Sequence, residues 1–294
     1  MKKCATIAII GRPSSGKSTL LNTICEQKIS ITSSSPQTTR NAIRGIYNDS
    51  RGQLIFTDTP GYHLSEQNFN QKLQEIAVNS LRESDLILYL IDGKRPAGKE
   101  EKQIALMVKQ SKVPVVVCIN KNDITNLNEI EEAKLFLKEY FDDLKVLTIS
   151  GKNDDGVDEI LIELFKNAPE GPLLFSEDTF TDQSLEFRIS EIIREKAIFK
   201  TKDEIPHSIY VEVYDLEYDK SIPKVWVRAF INVERESQKG IIVGKAGNNI
   251  KRIRVESFKD IKRIFPGSKL EIDLRVRCAG KWKSNSYIVS NMIK

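Results

Sequence analysis

The eight residues Gly11-Arg12-Pro13-Ser14-Ser15-Gly16-Lys17-Ser18 carry the most explicit chemistry in this chain. They match the G-x-x-x-x-G-K-S phosphate loop. They also follow an apolar run, Cys4–Ile10, and open a helix-like segment, the context that gives the pattern its meaning. The glycines let backbone N–H groups turn inward around phosphates at a helix N-terminus, where the partial positive charge favours anions. Lys17 is expected to reach the β- and γ-phosphates of a nucleoside triphosphate, and the Ser18 hydroxyl to ligate Mg²⁺.

Later residues decide which triphosphate. Asp58-Thr59-Pro60-Gly61 ends a strand-like run; Asp58 would support Mg²⁺ through water, and the Gly61 N–H would sense the γ-phosphate. Asn120-Lys121-Asn122-Asp123 ends another. A carboxylate at Asp123 can accept both guanine N1–H and the 2-amino group. Adenine lacks that donor pair, so ATP would leave the carboxylate unpaired. Asn120 would tie this loop to the phosphate loop, and the Lys121 stem would cover the base. Ser150, followed by Gly151, would back the base with a main-chain N–H. Between phosphate loop and Asp58 lies Gln37-Thr38-Thr39-Arg40; Thr39, ahead of Thr38, would complete the metal shell only when γ-phosphate is present. Tyr62 follows Gly61 and cannot imitate the water-orienting amide of many GTPases, so slow intrinsic hydrolysis is expected.

These loops need strand ends to hold them. Cys4–Ile10, Gln53–Thr57, Leu86–Ile91, Val113–Ile119 and Lys145–Ile149 read as strands. Helical patterns at Ser18–Cys25, Phe69–Arg82, Lys99–Lys112, Asn128–Tyr140 and Val157–Lys166 separate them. Strands apolar on both faces mean an α/β domain with a mostly parallel sheet and helices on both sides. Ala168-Pro-Glu-Gly-Pro172 breaks the pattern and reads as a linker. The expected organisation is a GTP-binding domain over 1–168, a linker over 169–181 and a smaller α+β domain over 182–294. In the last, a helix at Phe187–Phe199 precedes strands at Ser208–Tyr214, Val225–Val233 and Leu270–Val276.

No apolar run approaches the ~18 residues that suggest a membrane span. The start shows no secretory or transit pattern, and four scattered cysteines suggest reduced thiols, so a cytoplasmic protein is expected. Net charge is only +4, unevenly spread: −1 over 1–170, −6 over 171–223 and +11 over 224–294. The basic terminal block points to a polyanion, nucleic acid first and a membrane surface second.

The four nucleotide motifs resemble those of translation-factor-type GTPases. Gly240-Ile241-Ile242-Val243-Gly244-Lys245-Ala246-Gly247-Asn-Asn-Ile-Lys251-Arg252-Ile resembles the G-x-x-G segment of a KH domain. One GTPase domain followed by such a segment resembles the Era family of bacterial ribosome-assembly GTPases, within the TrmE-Era-EngA-like group. Glu191–Lys196 and Glu204–Ser208 are similar to it too. The resemblance implies a type II KH fold, binding to the 3′ region of small-subunit (16S) ribosomal RNA, and a role in maturing the 30S subunit, with GTP and Mg²⁺ as ligands. It assigns RNA contact to residues 240–247 with Lys251, Arg252 and Arg254. A small-residue turn brings backbone close to a nucleotide strand, and the basic residues would meet phosphates. Arg275, Arg277, Lys281 and Lys283 are open between solvated surface and RNA contact, and Trp282 between capping the sheet and stacking on RNA. His63 and His207 read as loop residues. Ser14 stands where the family usually has Asn, so no potassium dependence is implied. A monomer is expected. The alternative is a GTP-gated membrane or cell-cycle adaptor that places the basic block peripherally on anionic lipid.

Overall fold

The computed structural model describes residues 2–32, 40–60, 75, 77–141, 144–199, 208–219, 223–280 and 282. The chain divides into two compact units that meet in sequence at Asp182 and Gln183.

The first unit is built on a six-stranded sheet in the order β2-β3-β1-β4-β5-β6. Its strands are β1 (Lys3–Ile10), β2 (Ile43–Asp49), β3 (Gly52–Asp58), β4 (Leu86–Asp92), β5 (Val115–Asn120) and β6 (Val146–Thr148). All pair in parallel except β2, which runs antiparallel to β3. Every residue of β4 is buried. Each fully buried Leu or Ile contributes about 1.5–3 kcal/mol, so the apolar centre anchors the sheet. Helices α1 (Lys17–Ile24), α2 (Lys99–Ser111), α3 (Leu127–Lys138) and α4 (Val157–Asn167) follow strands. Ile104, Ala105 and Val108 of α2 pack with Ile87, Tyr89 and Ile91 of β4. The start of α3 is set by a capping box: Asn126 accepts from the Glu129 N–H, and the Glu129 side chain accepts from the Asn126 N–H. Of the expected Phe69–Arg82 helix, residues 77–82 are helical, and most of the remainder lies outside the described residues.

Two features differ from the sequence expectation. Strand β2 was not legible as a strand, because at the sheet edge it mixes Arg44, Tyr47, Asn48 and Asp49 with its apolar residues. Residues 169–181, expected as a linker, instead form a strap on the first unit. The Cys4 N–H donates to Pro169 O at 3.0 Å, and the Ile46 N–H to Phe180 O at 2.9 Å. Buried Gln53 is the clasp: its Oε1 accepts from the Leu174 and Phe175 N–H groups, and its Nε2 donates to Phe175 O.

The second unit has the order α5 (Leu185–Phe199), β7 (Tyr210–Tyr218), β8 (Lys224–Val233), α6 (Glu236–Val243), a short 3₁₀ turn (Lys245–Gly247), α7 (Asn248–Ile264) and β9 (Lys269–Cys278). Strand β8 is central, antiparallel to β7 and parallel to β9. This α-β-β-α-α-β order with a parallel β8–β9 pair is the type II KH topology. Alternate residues of β8, Val225 to Val233, enter a core with Ile189 and Ile193 of α5 and Ile253 and Ile261 of α7. The other sheet face is open. There Arg275 pairs with Asp273, and Arg277 pairs with Glu212 while its guanidinium lies 4.5 Å over the Phe230 ring. Trp282 is fully buried, donates to Ser208 O at 2.9 Å and packs on Tyr210, so it is closed to RNA stacking. No described helix is long and apolar enough to cross a membrane.

Candidate functional site

The phosphate loop turns out of β1 directly over β4. A Cβ at Gly11 would lie 2.3 Å from the Leu90 carbonyl oxygen, so only glycine allows this approach. Gly16 caps α1 with φ +100°, and a Cβ there would meet Asn120 Nδ2 at 2.3 Å. Lys17 is buried, and its ammonium donates to Gly11 O and Arg12 O, each at 3.0 Å. Burial lowers its pKa to about 8, against the opposing pull of Asp58 and Glu101. The loop thus satisfies this lysine with its own carbonyls.

Beside Lys17, the Ser18 hydroxyl donates to Asp58 Oδ2 at 2.6 Å. Ser30, buried and not anticipated from sequence, donates to the same oxygen at 2.8 Å. Hydroxyl and carboxylate oxygens with no sulfur or imidazole suit a hard cation, so these residues fit Mg²⁺. Thr59 instead turns back to β1, donating to Ile9 O at 2.8 Å, and Pro60 is buried beside it. Thr39, Gly61, Tyr62 and His63 lie outside the described residues, as do His207, Lys281 and Lys283.

The second loop sits where β5 ends. Asn120 bridges the halves of the site: Nδ2 donates to Ser15 O at 2.8 Å, and Oδ1 accepts from the Gly151 N–H at 2.9 Å. Asp123 is exposed, and its carboxylate is oriented by the Ser150 hydroxyl at 2.7 Å. Asn122 is held from below, its N–H donating to Ile149 O. The structure corrects one role here. The Ser150 N–H is spent on Asp155 O at 2.9 Å, because 150 and 155 form a bridge, so Ser150 serves through its hydroxyl.

Sequence reasoning missed the end of β4 and the segment that follows it, which tie the two loops together. Buried Asp92 accepts from Lys121 Nζ at 2.7 Å, and the Gly93 N–H donates to Asn120 O. Arg95 Nη1 donates to Pro13 O at 3.1 Å. Arg12 points away from the cradle into a buried ion pair with Glu101, and donates to Arg95 O and Pro96 O. The detectable signal was Glu101 itself, an acid on the apolar α2 stripe of Ile104, Ala105 and Val108.

In the second unit, Gly244 (φ +73°) and Gly247 (φ +75°) flank Lys245 and Ala246, and all four interrupt two helices. A Cβ on Gly244 would lie 2.7 Å from Asn249, whose side chain caps α6 by donating to Ile241 O. Gly247 has open space before it. Lys245, Ala246, Lys251, Arg252 and Arg254 are exposed, as are Gly240 and Ile241, while Val243 is half-buried. Ile242 does not join them: it is fully buried in the core, because in α6 its position faces the sheet.

A family model described as "50S ribosome-binding GTPase" matches residues 6–121, and a KH-domain model matches residues 204–282. "GTPase Era" of Treponema denticola is 46% identical over 97% of this chain and 98% of its own length. "GTPase Era" of Borreliella burgdorferi is 44% identical over 99% of both chains. Among solved structures, Era in complex with MgGDPNP and nucleotides 1506–1542 of 16S ribosomal RNA superposes with a TM-score of 0.92 at 32% identity, covering 99% and 98% of the two chains. A variant of Aquifex aeolicus Era bound to GDP and AlF₄⁻ also gives 0.92 at 32% identity, over 98% of each chain. With identity of this size along its whole length and both units in place, the chain belongs to the Era family and is a GTPase.

Proposed function

We propose that this GTPase uses its KH unit to bind the 3′ region of 16S ribosomal RNA, assists maturation of the 30S subunit, and gates that binding by its nucleotide. It works as a cytoplasmic monomer. In the nucleotide site, Lys17 reaches the β- and γ-phosphates. Ser18 and Thr39 would ligate the metal, and Asp58 would support it. Held there, Mg²⁺ would supply positive charge against what develops on the phosphate oxygens. Gly11 and Gly16 let the loop lie against the Leu90 carbonyl and the Asn120 side chain, while Asn120 fixes the spacing between the phosphate and guanine ends. Asp123, steered by Ser150, selects guanine. Water attacks the γ-phosphate, and Thr39 with Gly61 reads its presence.

The observation that carries the RNA reading is the exposed Gly244–Gly247 turn, with open space at Gly247 and Lys251, Arg252 and Arg254 on the helix it starts. That arrangement suits a single strand, with backbone against the turn and cations toward phosphates. The RNA-bound Era relative supports the same partner. Since only differential contacts shift an equilibrium, gating requires the γ-phosphate to change RNA affinity. Crosslinking and sequencing of RNA on the intact protein in cells tests the partner, with Lys245→Asp/Ala246→Asp as control. Reads concentrated on the 3′ end of 16S ribosomal RNA and lost in the control are expected. Reads indifferent to the control would remove the KH surface from the account. Equal RNA affinity with a GTP analogue and with GDP, at one salt concentration, would remove the gate.

A further inference from the structure

Glu101 touches neither loop motif in sequence, yet its carboxylate sits at the root of the phosphate loop. It is fully buried on α2. One oxygen pairs with the Arg12 guanidinium, and the other accepts from the Tyr89 hydroxyl at 2.6 Å. The remaining Arg12 nitrogens donate to Arg95 O at 2.9 Å and Pro96 O at 3.0 Å. Arg95 returns the contact by donating to Pro13 O. Two arginines therefore lace the backbone of Gly11–Pro13 to the 95–96 turn in both directions, and Glu101 holds one of them. Helix packing alone does not call for this. A well-packed apolar pair in place of a buried ion pair is commonly as stable or more so.

We propose that Glu101 is a positioning residue for nucleotide binding and GTP hydrolysis, acting through Arg12. It fixes the backbone of Gly11 and Arg12, whose carbonyls dock Lys17, and so sets where the loop N–H groups meet the phosphates. Tyr89 keeps the carboxylate aimed at Arg12: burial and the nearby Glu101 charge push its hydroxyl well above the usual tyrosine range, so it remains a donor. This inference rests on the GTPase activity and stands apart from the RNA reading.

The test uses the full chain with Glu101→Gln, which keeps the shape and removes the charge. Two rates are read per bound nucleotide, so a smaller folded fraction leaves them unmoved. One is release of a fluorescent GDP analogue, with Mg²⁺ and after its chelation. The other is single-turnover hydrolysis of bound GTP. Displaced loops lose large factors for small shifts, so GDP should leave about ten-fold faster in both conditions and hydrolysis should fall about five-fold or more. Glu101→Asp, which restores the charge, should fall between wild type and Glu101→Gln. The preference for guanosine over inosine nucleotides is set at Asp123 and should not move. Both rates staying within about two-fold of wild type, against the loss a misplaced loop predicts, would overturn the proposal. A changed base preference would also overturn it, placing the effect in the guanine loop. If Glu101→Gln does not fold, Tyr89→Phe decides. Losing one hydrogen bond to the carboxylate should speed GDP release about two- to three-fold, and unchanged release would overturn the proposal.

Discussion

The two units keep their working charges in opposite ways. In the first, Lys17, Asp58, Asp92, Arg12 and Glu101 are all buried, and each meets a specific partner. In the second, Lys245, Lys251, Arg252 and Arg254 are exposed around a turn shaped by two positive-φ glycines, Gly244 and Gly247. A buried group that loses its partner costs the full desolvation of what remains, so changes there act nearly all-or-none. An exposed cation is screened by salt and contributes one increment among several. One unit therefore provides selectivity by matched geometry, and the other provides affinity by accumulation.

The largest expected effect tests the matched geometry of the first unit at an exposed carboxylate that Ser150 holds in place, in Asp123→Asn. An amide cannot accept from both guanine N1–H and the 2-amino group, so GTP affinity should fall roughly 10³-fold or more. The amide can donate, so a xanthosine nucleotide, with oxygen at that ring position, should recover part of the loss. Titration with fluorescent nucleotides of both bases checks this, and equal losses for both would refute the base-reading role of Asp123. On the other side, Lys245→Asp/Ala246→Asp reverses charge on the turn itself. RNA affinity should drop about 10²-fold at moderate salt while GTP hydrolysis without RNA stays unchanged. A fall in hydrolysis would show that the turn is not confined to RNA.

The same contrast governs what could be read from sequence. The buried strands β1, β4 and β5 were legible because parallel strands covered on both faces are continuous apolar runs. The nucleotide loops were legible because each is a contiguous motif at a strand end. The lacing around Arg12 was not, since its partners lie 83 and 84 positions away and use main-chain oxygens. Ser30 was missed for the same reason, as its role depends on Asp58, 28 residues on. The strap over 169–181 has the Pro and Gly content of a linker, and its order comes from partners far away in sequence, among them Gln53 and the Cys4 and Ile46 N–H groups. In the KH unit the turn was legible, but helix phase was misjudged: Ile241 is exposed and Ile242 is core, although they are neighbours in an apolar run.

A subtler consequence of burial concerns stability. Lys17 has its pKa lowered from 10.5 to about 8, chiefly by desolvation. Below pH 8 the lysine is charged in both folded and unfolded chains, and the folded state bears the penalty in full. Between pH 8 and 10.5 the unfolded chain binds more protons, so that penalty is relieved as pH rises. Lys17→Met should therefore stabilise the nucleotide-free protein at pH 7 by on the order of 1–2 kcal/mol while abolishing tight nucleotide binding. The gain should shrink toward pH 10. Urea unfolding at several pH values measures it, and a destabilised variant at pH 7 would show that the two loop carbonyls outweigh desolvation.

The smallest effect belongs to a single exposed cation. Lys251 lies on the solvent side of α7, four residues past Gly247, with no ion pair among the described contacts. If it meets one phosphate of a single strand, Lys251→Ala should weaken RNA binding only about three-fold and lower the slope of log affinity against log salt by about 0.7. The loss should be alike for different RNA sequences, because a phosphate contact carries no base information. Arg254→Ala tests additivity from the same helix. If each acts on its own phosphate, the double variant should lose about the product of the single losses and twice the slope. A double variant no weaker than either single one would mean that both reach the same phosphate, and the exposed face of α7 would then read one nucleotide rather than track a strand.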